Sequence, residues 1–348
     1  MNRILEEDAY AVAASSIIPW DRLDGKTVLI SGANGYVPAY FVHAFMARND
    51  SFNAGIKVIA LCRNEDRAKA RFGEYLSRSD FSLRIQDVCD PIEIHDEIHY
   101  AIHAASPAGV KNSNLQPAST FAANVIGCLN MLDLSVKKNA ERFLLLSSID
   151  TYGEISPNKR FVETDCGALD SMNPRNVYAV AKRSSENLCV CYYEQYKAPV
   201  VVVRPSQIMG PGIAMDDGRL HIDFISQMLS SDRIILKSDG KARRTFLYIA
   251  DAISGMLTAM LYGNPGEAYN IVDEGGEATV LELAELMASI AHERKIEVVF
   301  DCDKRNLPEV TNAVSVVTGN SDKLRALGWN PIYSLNDGAE RMMRYYGL

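Results

Sequence analysis

The chain has 348 residues and a mass of 38.5 kDa, enough for one large domain or two interleaved ones. Its 36 basic and 44 acidic side chains leave a net charge of −8. That balance excludes a general nucleic-acid binder, which would be repelled by phosphate, but not an anionic small ligand held by local Arg, Lys and backbone N–H groups. An apolar share of 47% excludes a disordered chain.

No stretch is expected to reach the roughly 18 to 20 apolar residues of a membrane span. Glu6, Glu7 and Asp8 stand where a signal peptide would be basic. A cytoplasmic protein with no membrane partner is expected. Cys62, Cys89, Cys128, Cys166, Cys189, Cys191 and Cys302 are odd in number and lack C-x-x-C spacing. They predict buried thiols, with neither a disulfide framework nor a metal site.

Residues 1–24 read as an arm packed on the surface. From Lys26 the pattern is strand, turn, helix, repeated. Thr27-Val28-Leu29-Ile30 is a short apolar run, as a strand covered on both faces requires. A helix is predicted over 38–48, a strand over 57–61 and a charged helix over 64–76. Strands follow at 83–85 and 100–103, a long helix at 117–138, a strand at 142–146, a helix at 175–196 and a strand at 200–203. This alternation predicts an α/β fold: a Rossmann-like, doubly wound parallel sheet. After Pro205 the rhythm breaks at Gly210-Pro211-Gly212 and Asp216-Asp217-Gly218. Helices near 220–230, 251–262 and 281–292, strands over 245–249 and 296–300, and a terminal helix suggest a smaller C-terminal lobe. The expected division is an arm (1–24), a dinucleotide-binding domain (25–205 and about 243–270) and a substrate lobe (about 206–242 and 271–348).

Three groups of residues carry chemistry. Gly32 and Gly35, with Asn34, Tyr36 and Val37, form a turn between the first strand and first helix. Glycines there let the backbone approach a pyrophosphate, which the helix N-terminus faces with free N–H groups. Pro38 replaces the third glycine usual in such turns, and Pro is tolerated in a helix's first turn. Tyr178 and Lys182 lie four apart, on one helix face. An ammonium beside a phenol is expected to lower its pKa and make Tyr178 a proton shuttle for an alcohol being oxidised. Ser148 leaves the fifth strand at the carboxyl edge, where ligands sit in such sheets. Asp150 would point the same way in an extended chain, or would cap a turn.

Gly32, Gly35, Asn124, Ser148, Tyr178 and Lys182 together resemble the extended short-chain dehydrogenases/reductases, the NAD-dependent epimerase/dehydratase type, over nearly all of the chain after residue 24. The resemblance implies a cofactor site that also takes in Asp87 and Val88 at the adenine, Ala104, Ala105 and Ser106 in the loop over the cofactor, Asn124 as a structural and proton-relay residue, and Pro205. Within that family the pattern is most similar to UDP-glucuronate decarboxylases. Arg175 three before Tyr178, Lys182-Arg183 followed by Glu186, the loop Met215-Asp216-Asp217-Gly218-Arg219, and Arg244-Thr245-Phe246 with Tyr248 match that group. They imply substrate contacts from Arg175, Gln207, Arg219, Arg244 and Ser106. Three residues depart from the pattern: Asp150 stands for Glu, Ile149 for Ser, and Gln207 for Asn.

The implied activity oxidises a nucleotide sugar, by resemblance a UDP-sugar, at C4, then decarboxylates or epimerises it. A 4,6-dehydratase or 4-keto reductase stays open, as does a non-catalytic nucleotide sensor, although an intact Ser148, Tyr178 and Lys182 argue for catalysis. The family implies NAD, recycled in each turnover, and a homodimer built from the helices over 117–138 and 175–196. The local chemistry leans to NADP: Cys62 replaces the acid that usually ends the second strand, and Arg63 offers a planar fork to a 2′-phosphate.

Overall fold

The computed structural model describes residues 2–107, 115–155, 159–301 and 316–348, without the side chains of 316 and 317. Alternate residues of each central strand feed opposite layers of core. Val28, Ile30, Val58, Ala60, Val201 and Val203 enter one apolar cluster, and Leu29, Ile59, Leu61, Val200 and Val202 enter the other. A strand covered on both faces needs this near-continuous apolar run. The strands are β1 (Thr27–Ser31), β2 (Lys57–Cys62), β3 (Phe81–Ile85), β4 (Tyr100–His103), β5 (Arg142–Leu146) and β6 (Val200–Pro205).

Between and before them lie helices α1 (Arg3–Ala13), α2 (Tyr36–Phe52), α3 (Glu65–Phe72), α4 (Pro117–Lys137) and α5 (Val177–Tyr196). The later elements are β7 (Gln207–Met209), α6 (Leu220–Ser230), β8 (Arg233–Leu236), β9 (Arg243–Tyr248), α7 (Ile249–Tyr262), β10 (Glu267–Ile271), β11 (Glu277–Thr279), α8 (Val280–Ile290), β12 (Glu297–Phe300), β13 (Val316–Val317), α9 (Asp322–Arg325) and α10 (Leu335–Tyr345).

The main sheet has seven parallel strands in the order β10-β6-β5-β4-β1-β2-β3. The expected doubly wound sheet is therefore present, with β10 as a seventh strand that the sequence pattern did not show. Helices α2 and α7 cover one face, α4 and α5 the other. A second sheet, β11-β9-β13 with β7 beside β9, stands at the carboxyl edge, and β8 pairs with β12 nearby. Phe224, Met228, Phe246, Leu283, Met287 and Met342 make the core of this lobe.

One expectation changes. Helix α4, at 21 residues, is long and apolar enough by composition to cross a membrane, although 44% of its apolar window is buried inside the protein. Packing of one face on the sheet and another on α5 accounts for that composition. The N-terminal arm is a helix, anchored by its own chemistry. Asp8, fully buried, accepts from the Tyr248 hydroxyl at 2.7 Å and from Arg341 Nη2 at 2.7 Å, so α1, β9 and α10 are tied together.

Candidate active site

The turn after β1 is shaped by Gly32. Its φ is +65°, and a Cβ there would lie 2.6 Å from Ala105 Cα, so no other residue fits without displacing the neighbouring loop. Gly35 is the N-cap of α2 and offers no side chain to the first N–H groups. Pro38 is buried in that helix's first turn. The turn is backed by a polar chain. Ser31 Oγ accepts from the Ala104 and Ala105 N–H groups at 3.2 and 3.3 Å and lies 2.8 Å from His103 Nδ1. With two donors already on Ser31, its hydroxyl proton goes to Nδ1, and His103 Nε2–H donates to the Asn124 carbonyl at 3.3 Å. Burial and the neighbouring Lys182 push His103 down to about 3, so it is neutral.

Asn124 Nδ2 donates to Ser106 Oγ at 3.1 Å and to the Thr120 carbonyl at 2.7 Å, while its buried Oδ1 has no partner among the described residues. The Tyr36 hydroxyl is likewise buried without one. A close-approach turn, an uncapped helix N-terminus and an orphaned amide oxygen fit a dinucleotide laid across the carboxyl edge. Val37 packs on the core beside the turn, and Val88 is buried behind Asp87. Pro205 ends β6, paired in register with Ile271. Cys62 is buried beside the Ala33 and Asn34 N–H groups, and burial pushes its thiol up to about 11. Arg63 is exposed and lies 3.7 Å from the Asp87 carboxylate.

Ser148, Tyr178 and Lys182 come together beyond this cradle. Ser148 Oγ accepts from the Asp150 N–H at 3.1 Å and acts on the Tyr178 hydroxyl, favouring its ionised form. The segment Ile149–Tyr152 is a tight helical turn, so Asp150 approaches the hydroxyls by folding back and not, as an extended chain would, by alternation. Its carboxyl is raised by the surrounding protein, against the Ser148 hydrogen bond and the Arg244 charge. Lys182 is buried, and burial lowers it to about 8.

The phenol differs from expectation. Burial first, then the Asp150 charge, hold Tyr178 up at about 12 against the Ser148 hydrogen bond. The Lys182 ammonium donates to the Leu146 carbonyl at 2.5 Å instead of the phenol oxygen, so its field does not offset the burial.

The substrate-side residues fall in two groups. Arg219 pairs with Asp217 at 3.1 Å, stands 5.4 Å over the Tyr36 ring, and acts electrostatically on Tyr178. Arg244, on β9, acts electrostatically on Asp150, and Gln207, on the adjoining strand β7, is exposed and registered against Phe246. Arg175 is exposed on the short turn Pro174–Asn176 that leads into α5. Sequence reasoning missed His221, which is 1% exposed, two residues past Arg219, with neither ring nitrogen hydrogen-bonded. It also assigned no role to Arg204, whose bidentate pair with Glu186 lies behind Lys182. Among the described residues no cluster could hold a metal ion, and Cys302 lies outside them.

A doubly wound sheet with a glycine cradle and a Ser–Tyr–Lys constellation at its carboxyl edge defines a dinucleotide-dependent enzyme acting on an alcohol or ketone. The chain belongs to the NAD dependent epimerase/dehydratase family, whose profile matches residues 28–272. It is 30% identical over 327 residues to UDP-glucuronic acid decarboxylase 2 of Arabidopsis thaliana, covering 92% of this chain and 68% of that one. Its fold is shared with UDP-glucose 4-epimerase of Thermotoga maritima, solved with UDP-glucose: TM-score 0.77, 24% identity, 92% of this chain and 98% of that one. It is shared equally with a UDP-glucuronic acid 4-epimerase of Bacillus cereus, solved with UDP-glucuronic acid and NAD: TM-score 0.75, 22% identity, 92% and 98% covered.

Proposed function

We propose that the protein oxidises a UDP-sugar at C4 and acts on a substrate with a C6 carboxylate, as a UDP-glucuronate decarboxylase does. The observation that carries this reading is the Arg244 charge felt by Asp150, which sits on the turn that Ser148 starts beside Tyr178. A guanidinium there holds a sugar carboxylate next to the hydroxyl being oxidised. The likeness along the chain to UDP-glucuronic acid decarboxylases supports the substrate class.

NAD would be held by Gly32, Gly35, Asp87, Ala105, Asn124 and Lys182, and would supply the acceptor for the C4 hydride. Tyr178 takes the O4 proton as the hydride leaves, and Ser148 donates to the developing carbonyl oxygen. The resulting 4-keto acid has its carboxylate β to a ketone. The C5–C6 electron pair passes into that ketone as carbon dioxide departs, and Tyr178 returns the proton to O4 when the carbonyl is reduced again. Asp150 is proposed to deliver the proton that C5 takes up after decarboxylation. Arg175, Gln207 and Arg219 are proposed to take the nucleotide diphosphate.

A homodimer is proposed from the outer faces of α4 and α5, where Phe121, Ile126, Leu129 and Val190 are 38–44% exposed. A sedimentation mass of a single 38.5 kDa chain at micromolar concentration overturns it. A cytoplasmic setting is proposed with it.

The deciding experiment incubates the purified protein with UDP-glucuronic acid and with a panel of other UDP-sugars. Loss of the mass of carbon dioxide supports decarboxylation, and a product of unchanged mass with altered C4 configuration makes the enzyme a 4-epimerase. No product from any sugar, with no change in bound cofactor, leaves a nucleotide sensor.

A further inference from the structure

Behind the reacting hydroxyls lies a buried ion pair that the chemistry above does not use. Glu186 is 8% exposed and one helical turn beyond Lys182 on α5. Its carboxylate accepts from Ser147 Oγ at 2.5 Å and from Arg204 Nε and Nη2 at 3.0 and 2.7 Å. Arg204, on β6, donates Nη1 to the Glu163 carbonyl at 2.9 Å and lies 4.8 Å over the Tyr152 ring. The Tyr152 hydroxyl donates to Asn270 Oδ1, on the edge strand β10, at 2.6 Å.

Burying two charges is costly, and apolar residues of equal volume often pack as stably. What the pair does provide is geometry. Ser147 precedes Ser148, Tyr152 closes the turn that carries Asp150, and Glu186 rides the helix of Tyr178 and Lys182. The two backbone segments bearing the reacting groups therefore meet at one ion pair.

We propose that Glu186, clamped by Arg204 and Ser147, is a positioning residue that fixes Ser148 against Tyr178 and supplies the buried negative charge felt by Lys182. The groups facing Lys182 are Tyr178, Glu186 and Cys189 on its own helix, Cys128 from α4, His103 from β4 and the Leu146 carbonyl of β5. His103 is neutral and burial raises the Cys189 thiol, so Glu186 is the carboxylate in that set. It works against the burial that draws Lys182 down to about 8.

The kinetic arm of the test rests on the proposed oxidation, and the spectroscopic arm does not. The full chain is prepared with its bound dinucleotide as Ser147→Ala, Glu186→Gln and Glu186→Asp. Lys182 is followed by nitrogen NMR of labelled lysine, assigned by its loss in Lys182→Met. In Glu186→Gln, which keeps an acceptor oxygen but no charge, the Lys182 midpoint falls by about one pH unit. In Glu186→Asp it returns towards the wild-type value. Ser147→Ala removes one hydrogen bond and leaves the ion pair whole, so the midpoint stays. Its kcat on UDP-glucuronic acid nevertheless falls by about ten- to a hundredfold, with KM and melting temperature little changed. An unmoved Lys182 midpoint in Glu186→Gln overturns the electrostatic role. A Ser147→Ala kcat within about twofold of wild type overturns the positional one. Where the wild type turns over no UDP-sugar, the proposed function fails, and the Lys182 midpoint alone decides this inference. Should Glu186→Gln not fold, the Glu186→Asp midpoint together with the Ser147→Ala kinetics decides it.

Discussion

Lys182 donates to the Leu146 carbonyl at 2.5 Å while its nitrogen lies 5.7 Å from the centre of the Tyr178 ring. The lysine is thus fixed to the strand β5 that delivers Ser148 and not to the phenol oxygen. A phenol held at about 12 by burial is protonated at neutral pH. Its proton chemistry then depends on its neighbour Ser148, which acts to lower it.

Tyr178→Phe should reduce turnover of the UDP-sugar by at least about a hundredfold, the lower end of what a positioned acid–base group supplies. The removed hydroxyl bonds only inside the site, so melting temperature and the amount of dinucleotide released on denaturation should match wild type. Activity within about tenfold of wild type would remove Tyr178 from the reaction.

Asp150 and Arg244 separate decarboxylation from oxidation. Asp150→Asn should cut carbon dioxide release while C4 oxidation, read as reduction of bound cofactor, persists. Arg244→Ala should raise KM for UDP-glucuronic acid by about tenfold or more and change KM for UDP-glucose much less, because only the first sugar presents a carboxylate. Equal effects on both sugars would assign Arg244 to the diphosphate. Carbon dioxide release unaffected in Asp150→Asn would make Asp150 a turn residue.

The sheet was legible because buried parallel strands are written as apolar runs, such as Val200 to Val203. Strand β10 was not, because Asn270 interrupts it. That amide is paid for by partners distant in sequence: it accepts from Tyr152 and donates to the Phe161 and Asn320 carbonyls. Tyr178, Lys182 and Ser148 were readable from spacing and from their place after strands. The protonation of Tyr178 was not, since burial is a property of the assembled lobe. Asp150 shows the same limit: the sequence allowed an extended chain or a turn, and the Ser148 side chain accepting the Asp150 N–H selects the turn. Helix α1 carried no motif; its role follows from Arg341, 333 residues away from Asp8.

The cofactor turns on Arg63. Its guanidinium lies 3.7 Å from the Asp87 carboxylate, both exposed, so the charge offered to a 2′-phosphate is partly answered already. The family is NAD-dependent. Mass measurement of the dinucleotide released on denaturation should return NAD. Asp87→Asn should improve NADP binding relative to NAD, because it frees Arg63 and removes a negative charge. Release of NADP from the wild type would reinstate Arg63 as a phosphate ligand.

Acid should destabilise this fold from just below neutrality. His43, His103 and His221 are buried, and burial lowers each from 6.5 to about 3. A histidine whose folded pKa is depressed stays neutral in the fold while the unfolded chain takes up a proton below pH 6.5. The unfolded state therefore binds more protons between pH 6.5 and about 3, and stability falls as pH drops through that window. Each residue contributes up to about 1.4 kcal/mol per pH unit. His221 is the cleanest to remove, because neither of its nitrogens has a hydrogen bond to lose. His221→Leu should raise the melting temperature at pH 5 more than at pH 8, with the difference growing as the solution is acidified. A shift equal at both pH values would mean that His221 takes up its proton in the folded protein.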